Sequence, residues 1–336
     1  MLLFLCTIIF VGMFLLPFTP AVREVIKKED AAPLFINMGY SKDPRYFAVS
    51  FRKLMLKAVG DAPEGVHEIT LSKPERIRIA GQAEVSADSA IDTVFYVKKS
   101  LKSGNNATLR KEVYSRGDVH LGEENMIKAL ACDGKVTIGK GASFMRWLDA
   151  EGDVTISEDC HLGISATCDG VLSVAPGCRF MRLYGAPVII AQSKITPAAG
   201  GKPVEFEPIA NGAPTERGIS SLPAHNVKNC NLIAEGSLSV GEHAVIHGHV
   251  KSHGKIVLGA SAVVIGNLFA EKDIEIGPGS RVYGSVFSQG SIKLQRGVTV
   301  GSVGRIKSVI GKKGVTLEHG VTVYGYVATE GKGLVV

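Results

Sequence analysis

Apolar positions return along this chain at a fixed interval. Leu238-Ser-Val240, Ile256-Val-Leu258, Ile274-Glu-Ile276 and Ile292-Lys-Leu294 begin 18 residues apart. Between them a second set keeps the same spacing: Ile246-His-Gly248-His-Val250, Val264-Ile-Gly266-Asn-Leu268 and Val282-Tyr-Gly284-Ser-Val286. After a slip of five residues, Val323-Tyr-Gly325-Tyr-Val327 follows. A short fixed period predicts a solenoid. The 18-residue unit divides into hexads with apolar or small residues at their first and third positions. Such alternation puts those side chains on one face of a short strand. Three strands per coil then point inward, which is an all-β, single-stranded, three-sided parallel β-helix. Leu258, Ile276 and Leu294 hold one hexad position in successive coils, so they are expected to form a core stack at the strand spacing of about 4.8 Å.

The same ruler fits the first half. Val136-Thr-Ile138, Val154-Thr-Ile156 and Leu172-Ser-Val174 are 18 apart, and Val119-His-Leu121 leads them by 17. The expected organisation is a first β-helix block over 113–190 and a second over 228–336. The stretch 191–227 carries five prolines, Pro197, Pro203, Pro208, Pro214 and Pro223. That density is incompatible with central strands, and it reads as an excursion out of one stack or a hinge between two.

The chain opens with an uncharged run, residues 1–22, of which Leu2 to Leu16 are almost wholly apolar. About 20 apolar residues span a bilayer core. No basic residue precedes the run, so it reads as an amino-terminal transmembrane signal anchor rather than a cleaved leader. Arg23, Lys27 and Lys28 follow directly, and the positive-inside rule then predicts a single-pass protein of the bacterial inner membrane with its amino terminus outside and its β-helix cytoplasmic. In the juxtamembrane segment, 23–112, Asp43-Pro44 starts a helix over 45–59. Phe47, Phe51, Leu54 and Ala58 share one face of it, while Arg52, Lys53 and Lys57 lie elsewhere. It is expected either on the membrane surface or packed on the end of the β-helix. Residues 61–112 show no clear period and are expected to cap the first coil, as solenoid ends require.

Composition adds limits. Thirty-nine glycines and 7% aromatics suit tight corners and a narrow core. A net charge of +6 spread along the chain points to solubility and an anionic membrane surface, not to nucleic acid. Six cysteines, Cys6, Cys132, Cys160, Cys168, Cys178 and Cys230, form no CxxC pair and no metal-ligand spacing. Cys160 and Cys178 fall in the slot that Ala142 occupies, as small inward side chains. Gly134 to Gly141 nearly spells a phosphate-binding loop, but Gly141 stands where a hydroxyl would hold magnesium, and a strand corner is the expected structure. His243, His247, His249 and His253 fall at outward positions of one coil and are the candidate ligands for a surface metal. Nothing else calls for a cofactor or a metal.

The pattern I-x-I-G-P-G-x-x-V-x-G-x-V, whole in Ile274 to Val286, resembles the bactofilins, polymer-forming bacterial cytoskeletal proteins. The resemblance covers about Gly236 to Thr329 well and Gly134 to Gly185 more loosely. It implies a right-handed parallel β-helix that polymerises end to end without nucleotide. It also implies a membrane-tethered scaffold that organises cell-envelope and cell-shape proteins and has no catalysis of its own. The expected partners are therefore further copies of the chain, the inner membrane and cell-envelope proteins. Val315, Leu317, Val321, Val323 and Val327 of the last coil are expected to form the polymerisation interface, because open strand edges template further pairing. The rival reading is a left-handed hexapeptide-repeat acyltransferase, which Val240-Gly-Glu-His-Ala244 and its equivalents resemble. Such an enzyme needs a general-base histidine, and here the motif occurs once per coil rather than on successive faces.

Overall fold

The computed structural model describes residues 43–60, 68–72, 75–191 and 214–336, together with positions 10 and 19. The expected anchor over 1–22 lies outside the described residues but for Phe10 and Thr19, as does Cys6. Among the described residues no helix is long and apolar enough to cross a membrane. Pro44–Val336 forms one compact unit, distinct from Met1–Asp43.

The chain is an all-β solenoid of about 13 turns with parallel stacking. Three strands make each repeating coil, for example Leu238–Val240, Val245–Ile246 and Val250–Ser252. Alternation decides which side chains enter: Leu238 and Val240 are buried and Ser239 is exposed. Leu258 pairs in register with Ile276, and Ile276 with Leu294, all three buried. Burying each such side chain is worth roughly 1.5–3 kcal/mol, so the stack is held by its length rather than by any one layer.

The glycine of the V-x-G-x-V signature has a steric origin. A Cβ at Gly266 would lie 2.1 Å from the carbonyl oxygen of Gly248, and one at Gly284 would lie 2.2 Å from that of Gly266. The backbones of successive coils meet there, and no side chain fits between them. At the same corner, polar side chains tie coil to coil. Asn231 Oδ1 accepts the His249 N–H at 2.8 Å, His249 Nδ1 accepts the Asn267 N–H at 3.0 Å, and Asn267 Oδ1 accepts the Ser285 N–H at 2.8 Å. The five-residue slip falls between Val300 and Lys307, so Val282 pairs with Val300 18 residues on, whereas Val286 pairs with Val309 23 residues on.

Three expectations on boundaries need correction. Coils begin well before residue 113: Glu75–Ala80 pairs in parallel with Val94–Val97, and Ala83–Val85 with Leu101–Ser103. The segment expected to cap the first coil is itself coiled. The second block starts before 228, with Thr215–Arg217, Ser221–Leu222 and Val227–Lys228 as its opening coil. Pro214 and Pro223 lie at its start and its corner, while Pro197, Pro203 and Pro208 lie outside the described residues. Finally, the two blocks share one stack but run through it in opposite directions. The closing strand of the first block, Arg179–Ile190, pairs antiparallel with the closing strand of the second, Thr322–Val335. The two solenoids therefore meet tail to tail, and the 34 strands among the described residues share one sheet.

Helix α1, Tyr46–Gly60, packs on the flank of the first block, against the strands Met126–Cys132 and Trp147–Ala150, and not on its end.

Candidate functional site

The residues expected at the polymerisation interface sit at the tail-to-tail junction. Val315, Leu317, Val321, Val323 and Val327 are all buried. Their coil does present an edge, but that edge is occupied from within the chain. Leu183 lies opposite Val327, Val188 opposite Val323, and Phe180 opposite Gly333. Further backbone bonds close the ring: Val335 N–H to Cys178 O at 3.0 Å, and Ile190 N–H to Val321 O at 2.9 Å. Pairing extends along all three sides of the coil, so a second molecule would have to displace the first block to reach these valines. At the centre Gly185 faces Gly325. Gly325 has φ +133°, and a Cβ there would lie 2.4 Å from the Lys307 carbonyl oxygen.

Among the described residues, the edges without a partner on one side are those of the opening coils. In the second block, Thr215–Arg217, Ser221–Leu222 and Val227–Lys228 pair only with the coil that follows, among the described residues. Val227 is exposed there, and Lys228 Nζ meets Glu216 Oε2 at 2.5 Å. In the first block, Glu68–Ser72 folds back antiparallel on Glu75–Ala80 and covers one side, while Ala83–Val85 and Ala90–Ile91 pair only with the next coil among those residues.

The second constructed feature is the seat of α1. Met55 is fully buried in a small core outside the coils, with Ile77, Ile79, Val94, Tyr96, Tyr114 and Ala131. Next to it lies a charged cluster. Asp149, 1% exposed, accepts two hydrogen bonds from Arg45, Nε to Oδ1 at 2.7 Å and Nη2 to Oδ2 at 2.8 Å. It also takes an ion pair from Arg52 Nη1 and the Thr167 hydroxyl at 2.5 Å. Arg52 further donates to Asp133 Oδ1 at 3.0 Å and to the Cys132 carbonyl at 2.6 Å, while Tyr114 donates to Asp133 Oδ2 at 2.7 Å. Arg45 also pairs with Asp169. Burial alone disfavours both guanidinium charges, but Asp149 and its neighbours outweigh it and hold both arginines above their ordinary pKa. Burial and the bond to Asp133 together push the Tyr114 phenol up. No buried side-chain polar atom among the described residues lacks a partner.

The helix is turned relative to the face expected from sequence: Phe51 and Ala58 do pack against this core. Ala48, Arg52 and Met55 are buried, while Phe47 and Leu54 stay exposed. The sequence does carry a signal for this face. Arg45 and Arg52 are seven apart, hence on one helical face, and Asp149 stands at an outward position of an otherwise apolar strand, where an unpaired carboxylate has no reason to be.

The remaining candidates separate. His243 stacks on His225 with ring centroids 4.9 Å apart, His253 Nδ1 meets Glu271 Oε1 at 2.6 Å, His249 bridges coils, and His247 is exposed. No group of three or more metal-ligating side chains forms among the described residues. Cys132, Cys160, Cys168 and Cys178 are buried thiols, and burial pushes Cys132 and Cys168 up to about 12. Gly134 to Gly141 contains the strand Val136–Ile138 and a corner at Gly141, φ +72°, with no helix after it. Compared with known proteins, the chain matches no family model, no curated sequence and no solved structure.

Proposed function

We propose that this chain is a membrane-anchored, self-assembling scaffold of the bactofilin kind, with a right-handed β-helix in the cytoplasm and no catalysis of its own. The observation that carries the reading is the tail-to-tail junction: a coil end of this chain is a surface that another coil end fits on all three sides. Among the described residues, an opening coil carries strand edges of the same kind without a partner, and such edges invite pairing unless covered. Assembly on this reading runs through the opening coil of the second block, around exposed Val227, and not through the valines of the closing coil. The long uncharged run at residues 1–22 and the basic residues after it support attachment to the inner membrane. A regular array of solenoids at that surface would give cell-envelope proteins a repeating platform.

Electron microscopy and sedimentation of protein lacking residues 1–30 test this. Filaments or sheets that disappear in Val227→Arg are expected. A monomer across micromolar concentrations overturns the scaffold, and discrete trimers favour an acyltransferase-like enzyme instead.

A further inference from the structure

Helix α1 is fixed to the solenoid by its charged face, and what it leaves outside is unusual for a soluble surface. Phe47 is 66% exposed and Leu54 49%, and Tyr46 and Leu56 are exposed with them. Tyr46, Ser50, Lys53 and Lys57 follow at intervals of four, three and four, hence along one line of the helix, and all are exposed. Phe47 and Leu54 run beside that line on the side of Phe51, whose ring meets Trp147 edge-on at 5.6 Å. Two more exposed apolar residues lie near Trp147 in the strands. Met145, 62% exposed, lies two residues before Trp147, and exposed Ile164 directly precedes Ser165, the strand partner of Trp147. Contiguous apolar patches mark contact sites. Here the apolar side chains are interleaved with two lysines, and no acidic residue lies within the helix.

We infer that the outer face of α1 is a lipid-contacting surface, which lays the flank of the first block on an anionic bilayer. Tyr46, Phe47 and Leu54 enter the headgroup boundary, and Lys53 and Lys57 meet the anionic headgroups. A second copy of the chain is the less fitting occupant, because an identical helix would bring the same lysines against each other. The buried pairs of Arg45 and Arg52 with Asp149 make the contact rigid: the helix cannot roll to hide its apolar side without stripping Asp149 of its partners. On this inference the anchor holds the chain at the membrane and α1 sets the orientation of the solenoid. It rests on the membrane attachment proposed above.

The molecule carries its own reporter, since Trp147 is its single tryptophan. The full chain is reconstituted into vesicles of phosphatidylglycerol and phosphatidylcholine in which the phosphatidylcholine is brominated near the headgroup end of its acyl chains. Two readings are taken, flotation with the vesicles and quenching of Trp147. Wild type is expected to float and to be quenched. Phe47→Glu combined with Leu54→Glu is expected to float equally and to lose the quenching, with unchanged strand content. Lys53→Gln combined with Lys57→Gln is expected to be quenched less, approaching wild type in vesicles without phosphatidylglycerol. Wild type that floats unquenched overturns the docked helix while leaving the anchor intact. Protein that does not float overturns both. Full quenching in the glutamate variant places the contact elsewhere and overturns the assignment to α1.

Discussion

Leu183 and Val327 lie opposite each other in antiparallel register, both fully buried, one in the last coil of the first block and one in the last coil of the second. Each block ends on the other, so the stability of either closing coil depends on its partner. Leu183→Arg or Val323→Arg would bury an unpaired charge and is expected to destabilise the chain by more than about 3 kcal/mol. Thermal unfolding followed by circular dichroism checks this, with Ile276→Lys as the comparison inside a block. Wild-type melting of either junction variant would mean that the blocks do not close on each other.

Asp149→Asn tests the seat of α1. Two arginines would keep their burial and lose their shared countercharge, and breaking one side of a buried ion cluster costs about 3–5 kcal/mol. The expected sign is release of the helix before the coils melt. It would be seen as a shift of Trp147 emission ahead of the far-ultraviolet transition, because Phe51 covers that indole.

His249 is a structural link, and its substitutions should separate by acceptor rather than by size. His249→Asn can still accept the Asn267 N–H, as Asn231 and Asn267 do for the coils on either side. It should melt like wild type. His249→Ala leaves that N–H to solvent and should cost about 0.5–1.5 kcal/mol. Equal losses in both variants would assign the residue some other role.

Gly266→Ala would place a methyl group against the Gly248 carbonyl oxygen, where only backbone could yield. A loss of more than about 2 kcal/mol is expected in denaturant unfolding. Gly304, with open space around its Cβ position, serves as a control for clash, although its positive φ adds strain of its own.

Acid should loosen the coils. The Val171 N–H holds the Asp153 carboxyl below its ordinary range, and Lys255 does the same for Glu275. Both folded values lie below the unfolded ones of about 4. Their stabilisation is therefore complete above that range and is lost as pH falls through it. Both groups are partly exposed, so the effect is modest. Asp153→Asn keeps an acceptor for Val171 and removes the titration, and the fall of melting temperature below about pH 4 should be shallower in that variant.

The 18-residue spacing by itself determined the solenoid, because a coil that must return to the same place each turn repeats its inward positions in sequence. Ile256, Ile274 and Ile292 are legible one by one. The early coils were harder to read only because small or polar residues stand in their slots, as Ala83 does beneath Leu101 and Ser103 above Val85. What the tertiary structure alone decided is what closes each end and what covers each flank. Arg179–Ile190 and Thr322–Val335 both read as strands facing a core, and periodicity is the same whether the next strand comes parallel from a following coil or antiparallel from residues about 140 positions away. The buried face of the helix departs from its hydrophobic pattern for a related reason. Hydrophobic patterning ranks Phe47 above Arg52 for burial, and only the buried carboxylate of Asp149 on a neighbouring strand, brought beside the helix by the coil, makes burial of the arginine the more stable arrangement.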